Sequence, residues 1–187
     1  MSSDVHQIKK FATNKLTRRS RGFSLIELLI VVAIILIIAS IAIPSYLRSR
    51  MAAHEAGAVQ GIRMTTTAST VYNTQWNNGY PPNLTTLGGA AVTATCDQAE
   101  LLDSLMTTAP YQKGGYTFGY TGVGAPVTAP AGCSAPGYNA YLVTATPIIL
   151  GTTGQRSFCS TVPGVIHFDP TGVTAASSAA CDTLPSL

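Results

Sequence analysis

Hydrophobic and polar positions divide this chain into three stretches of different period. From Phe23 to Ile43, the 21 residues FSLIELLIVVAIILIIASIAI are interrupted only by Ser24, Glu27 and Ser40. The run is apolar all round, whereas a helix at a protein surface shows a polar stripe, so it predicts a helix surrounded by lipid or by other apolar chains. At 1.5 Å per residue it rises roughly 31 Å, the thickness of a bilayer's hydrocarbon core. Beyond Pro44, which removes a donor from the helical ladder and is expected to kink or loosen the helix nearby, an amphipathic period takes over. Leu47, Met51, Ala58, Ile62, Ser69, Tyr72 and Trp76 recur at steps of three, four or seven. Gly57, Gly61 and Thr65–Thr67 lower the helix propensity of that half, so packing must hold it. Asn77-Asn78-Gly79-Tyr80-Pro81-Pro82 then stops the helix. An unbroken helix from Phe23 to Trp76 would extend roughly 80 Å.

The third stretch, residues 77–187, alternates in the manner of strands. Tyr116–Tyr120, Tyr138–Ala145, Ser157–Thr161 and Val165–Phe168 are rich in aromatic and β-branched residues. Pro163-Gly164 marks a turn that makes the last two a hairpin. Thr121–Gly137, rich in Gly, Pro and Ala, predicts a long surface loop. Cys96–Leu105 reads as a short helix with Asp97 as its N-cap and Glu100 at the third helical position. An antiparallel sheet packed on the amphipathic half of the long helix accounts for this order, and the fold class is α+β.

Charge changes this picture at one end only. Charged residues are 10% of the chain against 46% hydrophobic ones, which excludes a disordered polyelectrolyte. Residues 1–22 carry six basic side chains (Lys9, Lys10, Lys15, Arg18, Arg19, Arg21) against Asp4. The remainder carries five basic and seven acidic groups, so the body has no electrostatic footprint for nucleic acid. A basic segment before an apolar span keeps the N-terminus in the cytoplasm and sends the rest across. A cleaved secretory signal fits poorly, because the apolar run is too long and no A-x-A-like site closes it.

Glu27 is the informative exception. A carboxylate within a span costs up to about 3 kcal/mol at the centre and less near the interface. Four residues after Phe23, it lies only about 6 Å along the axis. One reading is a tolerated carboxylate near the headgroups. The other is a carboxylate that meets a positive partner: cleavage between Gly22 and Phe23 would create a free α-amine, and in a stack of subunits Glu27 of one chain would neutralise Phe23 of the next.

The string Arg21-Gly22-Phe23-Ser24-Leu25-Ile26-Glu27, followed by an apolar run ending in Pro44, resembles the type IV prepilin signature. The resemblance is close over about fifty residues and looser beyond; the leader is longer than is usual for the type IVa group. It implies cutting after Gly22 by a prepilin peptidase, N-methylation of Phe23, and a register role for Glu27. The organisation it implies is a basic leader (1–22), a membrane and filament-core helix (23–43), its amphipathic half (44–76) and a globular head (77–187). Expected partners are the peptidase and methyltransferase, an assembly platform in the inner membrane, lipid before assembly, and further copies of the chain in a filament. The precursor would sit in a bacterial inner membrane with its head in the periplasm, and the assembled filament at the cell surface. A type II secretion pseudopilin shares every one of these N-terminal features. An uncleaved bitopic protein with a binding head is a third reading, and an exported enzyme a fourth.

All four cysteines (Cys96, Cys133, Cys159, Cys181) follow the span, on the exported side, where an even count predicts two disulfides. Three connectivities are open to the residues themselves. The resemblance implies a closed C-terminal loop, Cys159–Cys181, which leaves Cys96–Cys133. No C-x-x-C pair suggests zinc, and no catalytic set, cofactor or metal is predicted. His6, His54 and His167 lack spaced partners. Asp97, Glu100 and Asp103 would share a helical face, but a cap and a solvated acidic face explain them better than a cation site. Asp169-Pro170-Thr171-Gly172 reads as a turn. Tyr111, Tyr116, Tyr120, Tyr138 and Tyr141 read as cross-strand packing.

Overall fold

The computed structural model describes residues 22–89 and 93–187. The basic leader, with Arg21 and His6, lies outside them. The chain divides into two compact units, Met1–Ile41 and Ala42–Leu187.

In the first unit, helix α1 starts at Leu25 directly after Ser24, whose carbonyl accepts from the N–H groups of Glu27 (3.1 Å) and Leu28 (3.2 Å). The side chains from Leu25 to Ile38 are exposed throughout. α1 runs to Trp76 with Pro44 inside it. Proline has no N–H for the Ser40 carbonyl.

The second unit is built on the C-terminal half of α1 and a five-stranded antiparallel meander in the order β1 (Gln112–Lys113), β2 (Tyr116–Pro126), β3 (Tyr138–Pro147), β4 (Ser157–Thr161), β5 (Ile166–Asp169). Tyr116, Phe118 and Tyr120 of β2, Tyr141 and Val143 of β3 and Phe158 of β4 form one core with Ala58, Ile62, Ala68 and Tyr72 of α1. The helix comes close because Gly61 has no side chain: a Cβ there would lie 2.5 Å from the Phe118 ring. β4 is buried at all five positions, since the opposite sheet face is covered as well. There Leu142, Cys159 and Cys181 pack with Val123, Ala175 and Leu184. Cys181 belongs to the short helix α4 (Ser178–Asp182), bound to β4 by the Cys159–Cys181 disulfide and by the Thr161 hydroxyl donating to Asp182. After α4 the chain lies along β5: Phe168 N donates to Pro185 O and Leu187 N to Ile166 O, both at 3.0 Å.

Three local expectations differ from the structure. The proposed loop 121–137 begins later, because β2 continues to Pro126. Its glycines make room for neighbours across the ladder, since a Cβ on Gly122 would lie 2.2 Å from the Tyr138 ring. No helix begins at Asp97. The N–H groups of Ala99, Glu100, Leu101 and Leu102 instead donate to carbonyls of Thr86, Gly88 and Leu87, at the end of the short helix α2 (Leu84–Leu87). The helix that does form, α3 (Ser104–Thr107), is capped by Asp103, whose carboxylate accepts from Leu105 N (3.0 Å) and Met106 N (3.2 Å). The apolar stripe of α1 also starts later than proposed, for Leu47 is half exposed.

The turn after α1 uses Asn77 at φ 50° and Gly79 at φ 69°, conformations that Asn and Gly adopt most readily. Tyr80 then exchanges two backbone hydrogen bonds with Tyr138 (2.7 and 2.8 Å). Gly137 passes so near that a Cβ would lie 1.6 Å from the Asn78 carbonyl oxygen. Gly137→Ala is therefore expected to separate the two segments at a cost of about 2 kcal/mol. A thermal scan of the purified chain in detergent would show this as a lowering of about 6 °C.

Candidate functional site

The residues singled out for processing lie at the start of the described chain. Gly22, Phe23 and Ser24 have no regular structure and all are exposed, Phe23 at 74%. The Gly22–Phe23 bond therefore lies before the helix, in backbone with no helical hydrogen bonds to break before a protease can bind it. Nothing would come within 4 Å of a Cβ at Gly22. Glu27 sits in the first turn of α1, where a carboxylate faces the positive end of the helix dipole. Among the described residues, no ion pair engages it.

Following Glu27, the large aliphatic side chains to Ile43 are 46–73% exposed in the isolated chain. Such a surface is not stable in water and requires lipid or neighbouring helices around it. Ala33 and Ala42 are exposed among these larger residues. Small residues are where packed transmembrane helices approach most closely.

The cysteines are joined as Cys96–Cys133 and Cys159–Cys181, and none is free. The two described histidines, His54 and His167, serve the fold. A carbonyl can only accept, so Nδ1 of His54 donates to Gly114 O (2.6 Å) and Nδ1 of His167 to Leu184 O (2.7 Å). The acidic trio does not share a helical face. Asp97 accepts from Ser134 N (3.0 Å) and Oγ (2.7 Å), Asp103 pairs with Lys113, and Glu100 stands at φ 53°. The Ser134 hydrogen bonds hold the Asp97 carboxyl below its ordinary range, and the Lys113 ammonium does the same for Asp103. Among the described residues no group of His, Cys, Asp or Glu could hold a metal ion. Asp169 forms a side-chain turn, accepting from Thr171 N (2.8 Å) and Oγ1 (2.6 Å). Tyr116, Tyr120 and Tyr141 are core residues, the last two stacked at 5.8 Å with planes 15° apart.

One buried ionic site escaped the pattern reading. Glu55 on α1 is 8% exposed and accepts at Oε1 from Gln155 N (2.9 Å) and at Oε2 from Arg156 Nε (2.9 Å) and Nη2 (2.6 Å). Burial by itself raises this carboxyl. The Gln155 N–H and the Arg156 guanidinium more than offset it, leaving the group below its ordinary value. The Arg156 guanidinium also lies over the rings of Phe158 (5.6 Å) and Phe168 (5.3 Å). A signal was present in the sequence, for Glu55 falls four residues after Met51 and three before Ala58, on the apolar stripe itself.

No curated protein and no solved structure matches this chain. Its long N-terminal apolar helix and antiparallel sheet form an α+β, pilin-like architecture. The N-terminal motif fits a type IV pilin or pseudopilin, suggests a structural protein, and implies processing by a prepilin peptidase. Together with the apolar helix it supports membrane anchoring. Residues 17–43 match the family model for the prokaryotic N-terminal methylation motif, the type IV prepilin-like signature.

Proposed function

We propose that this chain is the precursor of a type IV pilus subunit, a structural protein and not an enzyme. It is held in a bacterial inner membrane with its leader in the cytoplasm and residues 77–187 in the periplasm. A prepilin peptidase cuts after Gly22, the new Phe23 amine is methylated, and the subunit passes through an assembly platform into a homopolymeric surface filament.

One observation carries the reading: an apolar helix whose large side chains are exposed along its N-terminal half, preceded by an exposed Gly22–Phe23 bond and holding a carboxylate in its first turn. Assembly replaces lipid around Leu25–Ile43 by neighbouring helices, with Ala33, Ala39 and Ala42 allowing close approach. Glu27 selects register, because a carboxylate in that interior is costly unless the Phe23 amine of the next subunit lies opposite. The disulfide-bound loops of the head remain for surface contacts.

The test is N-terminal sequencing and intact mass on the protein from sheared surface fibres. The expected N-terminus is N-methylated Phe23. Recovery of the chain with residues 1–22 attached would overturn the proposal in favour of an uncleaved bitopic protein. A cleaved chain present in cell envelopes but absent from surface fibres would replace it by a secretion pseudopilin.

A further inference from the structure

The two disulfides differ in their surroundings. Cys159 and Cys181 are 1% and 0% exposed, inside the smaller apolar cluster. Cys96 is 4% exposed and its partner Cys133 is only partly buried, and both line an open cleft of about 350 Å³, with Trp76, Thr95 and Pro130 along its sides. Of the two cysteines that a small molecule in this cleft would meet, Cys133 is the more exposed.

The buried sulfur is hydrogen-bonded. Tyr72 Oη lies 3.2 Å from Cys96 Sγ. A disulfide sulfur carries no hydrogen, so the phenol is the donor. Asn78 Nδ2 donates to Tyr72 Oη (3.0 Å) and to Ala135 O (3.1 Å), and also stands 3.4 Å from Cys96 Sγ. Tyr72 and Asn78 are both within 1% of complete burial. A hydroxyl fixed on one sulfur of a disulfide stabilises negative charge there when the bond breaks, and exchange is faster when the leaving thiolate is stabilised.

We propose that Cys133 is a thiol-exchange site, attacked by a small external thiol, with Cys96 leaving as a thiolate hydrogen-bonded by Tyr72. The incoming thiolate forms a bond to Cys133 Sγ as the Cys133–Cys96 bond breaks. The external sulfur is oxidised to the mixed disulfide, and the electron pair leaves with Cys96. The loop stays in place in the adduct, because Gly137 N still donates to Asn78 Oδ1 (3.1 Å) and Ser134 to the Asp97 carboxylate. The product is a chain modified at Cys133 whose fold and second bridge are intact.

The test treats the purified full chain in detergent with 2-mercaptoethanol, quenches early time points with iodoacetamide, and maps cysteine peptides by mass. The mercaptoethanol adduct is expected on Cys133 and the alkyl group on Cys96. The Cys159–Cys181 bridge should open at least tenfold more slowly. An adduct on Cys96, or two bridges opening at equal rates, overturns the proposal. Tyr72→Phe should slow opening at least threefold without moving the adduct, and an unchanged rate in a variant with native near-ultraviolet dichroism removes the role given to Tyr72. If that variant does not fold, the mapping on the unaltered chain decides alone.

Discussion

Replacing Glu27 by alanine is expected to leave the chain in the membrane while reducing its entry into fibres at least tenfold when it is co-expressed with the unaltered chain. Insertion does not suffer, because removing a carboxylate from an apolar span favours the bilayer. Assembly does under the proposed function, because the Phe23 amine of the adjacent subunit would then enter an apolar interior without a counter-charge. Breaking a buried pair by deleting one partner costs about 3 kcal/mol or more, which is over a hundredfold per contact. Charge separates this account from simple packing. Glu27→Gln keeps the size of the side chain and should fail like alanine, whereas Glu27→Asp should recover part of the incorporation. Quantitative mass spectrometry of sheared fibres against membranes measures all three, and normal incorporation of the glutamine variant would remove the register role.

The second large effect belongs to the unit of residues 42–187. Glu55→Ala is expected to lower its stability by about 3 kcal/mol, because it leaves the Gln155 and Arg156 N–H groups without their acceptor and a guanidinium without its partner. The value lies at the lower end for a buried pair, since the Arg156 side chain is 39% exposed and water takes over part of the loss. The acid response follows from the direction of the shift. Glu55 has a lower pKa when folded than the usual 4.5, so between those two values the unfolded chain binds the extra proton. This contribution is complete above about pH 4.5 and disappears as the pH falls through the folded value. Glu55→Gln should flatten that acid limb in thermal scans between pH 3 and 6. An unchanged limb would assign it to Asp97 and Asp103, whose carboxyls are lowered as well.

What the sequence disclosed follows the range of the interactions involved. The apolar run and the strand through Tyr116, Phe118 and Tyr120 are legible because side-chain type and period decide them locally. Ser157–Thr161 has the bounds read from pattern, while the second half of β2 does not. Gly122 and Gly124 resemble loop residues until Tyr138 and Asn139 are seen against them. Asp97 has the composition of a cap, but the following N–H groups found carbonyls in α2, a helix too short to leave a periodic trace. The Glu55 site was hidden for a related reason. Its partner lies 101 positions along the chain, and only a lone acid on an apolar stripe hinted that something must come to meet it.

The C-terminal residues laid along β5 have a consequence for crowding. A strand with bare amides and carbonyls on its outer side invites any neighbouring molecule to zip onto it, and a protein stored at high density in two dimensions meets such neighbours constantly. Here the chain's own tail occupies that border through Phe168 and Ile166. Growth of the sheet from one molecule into the next is blocked on this side, and the proposed polymerisation is left to the apolar helical surface of residues 25–43.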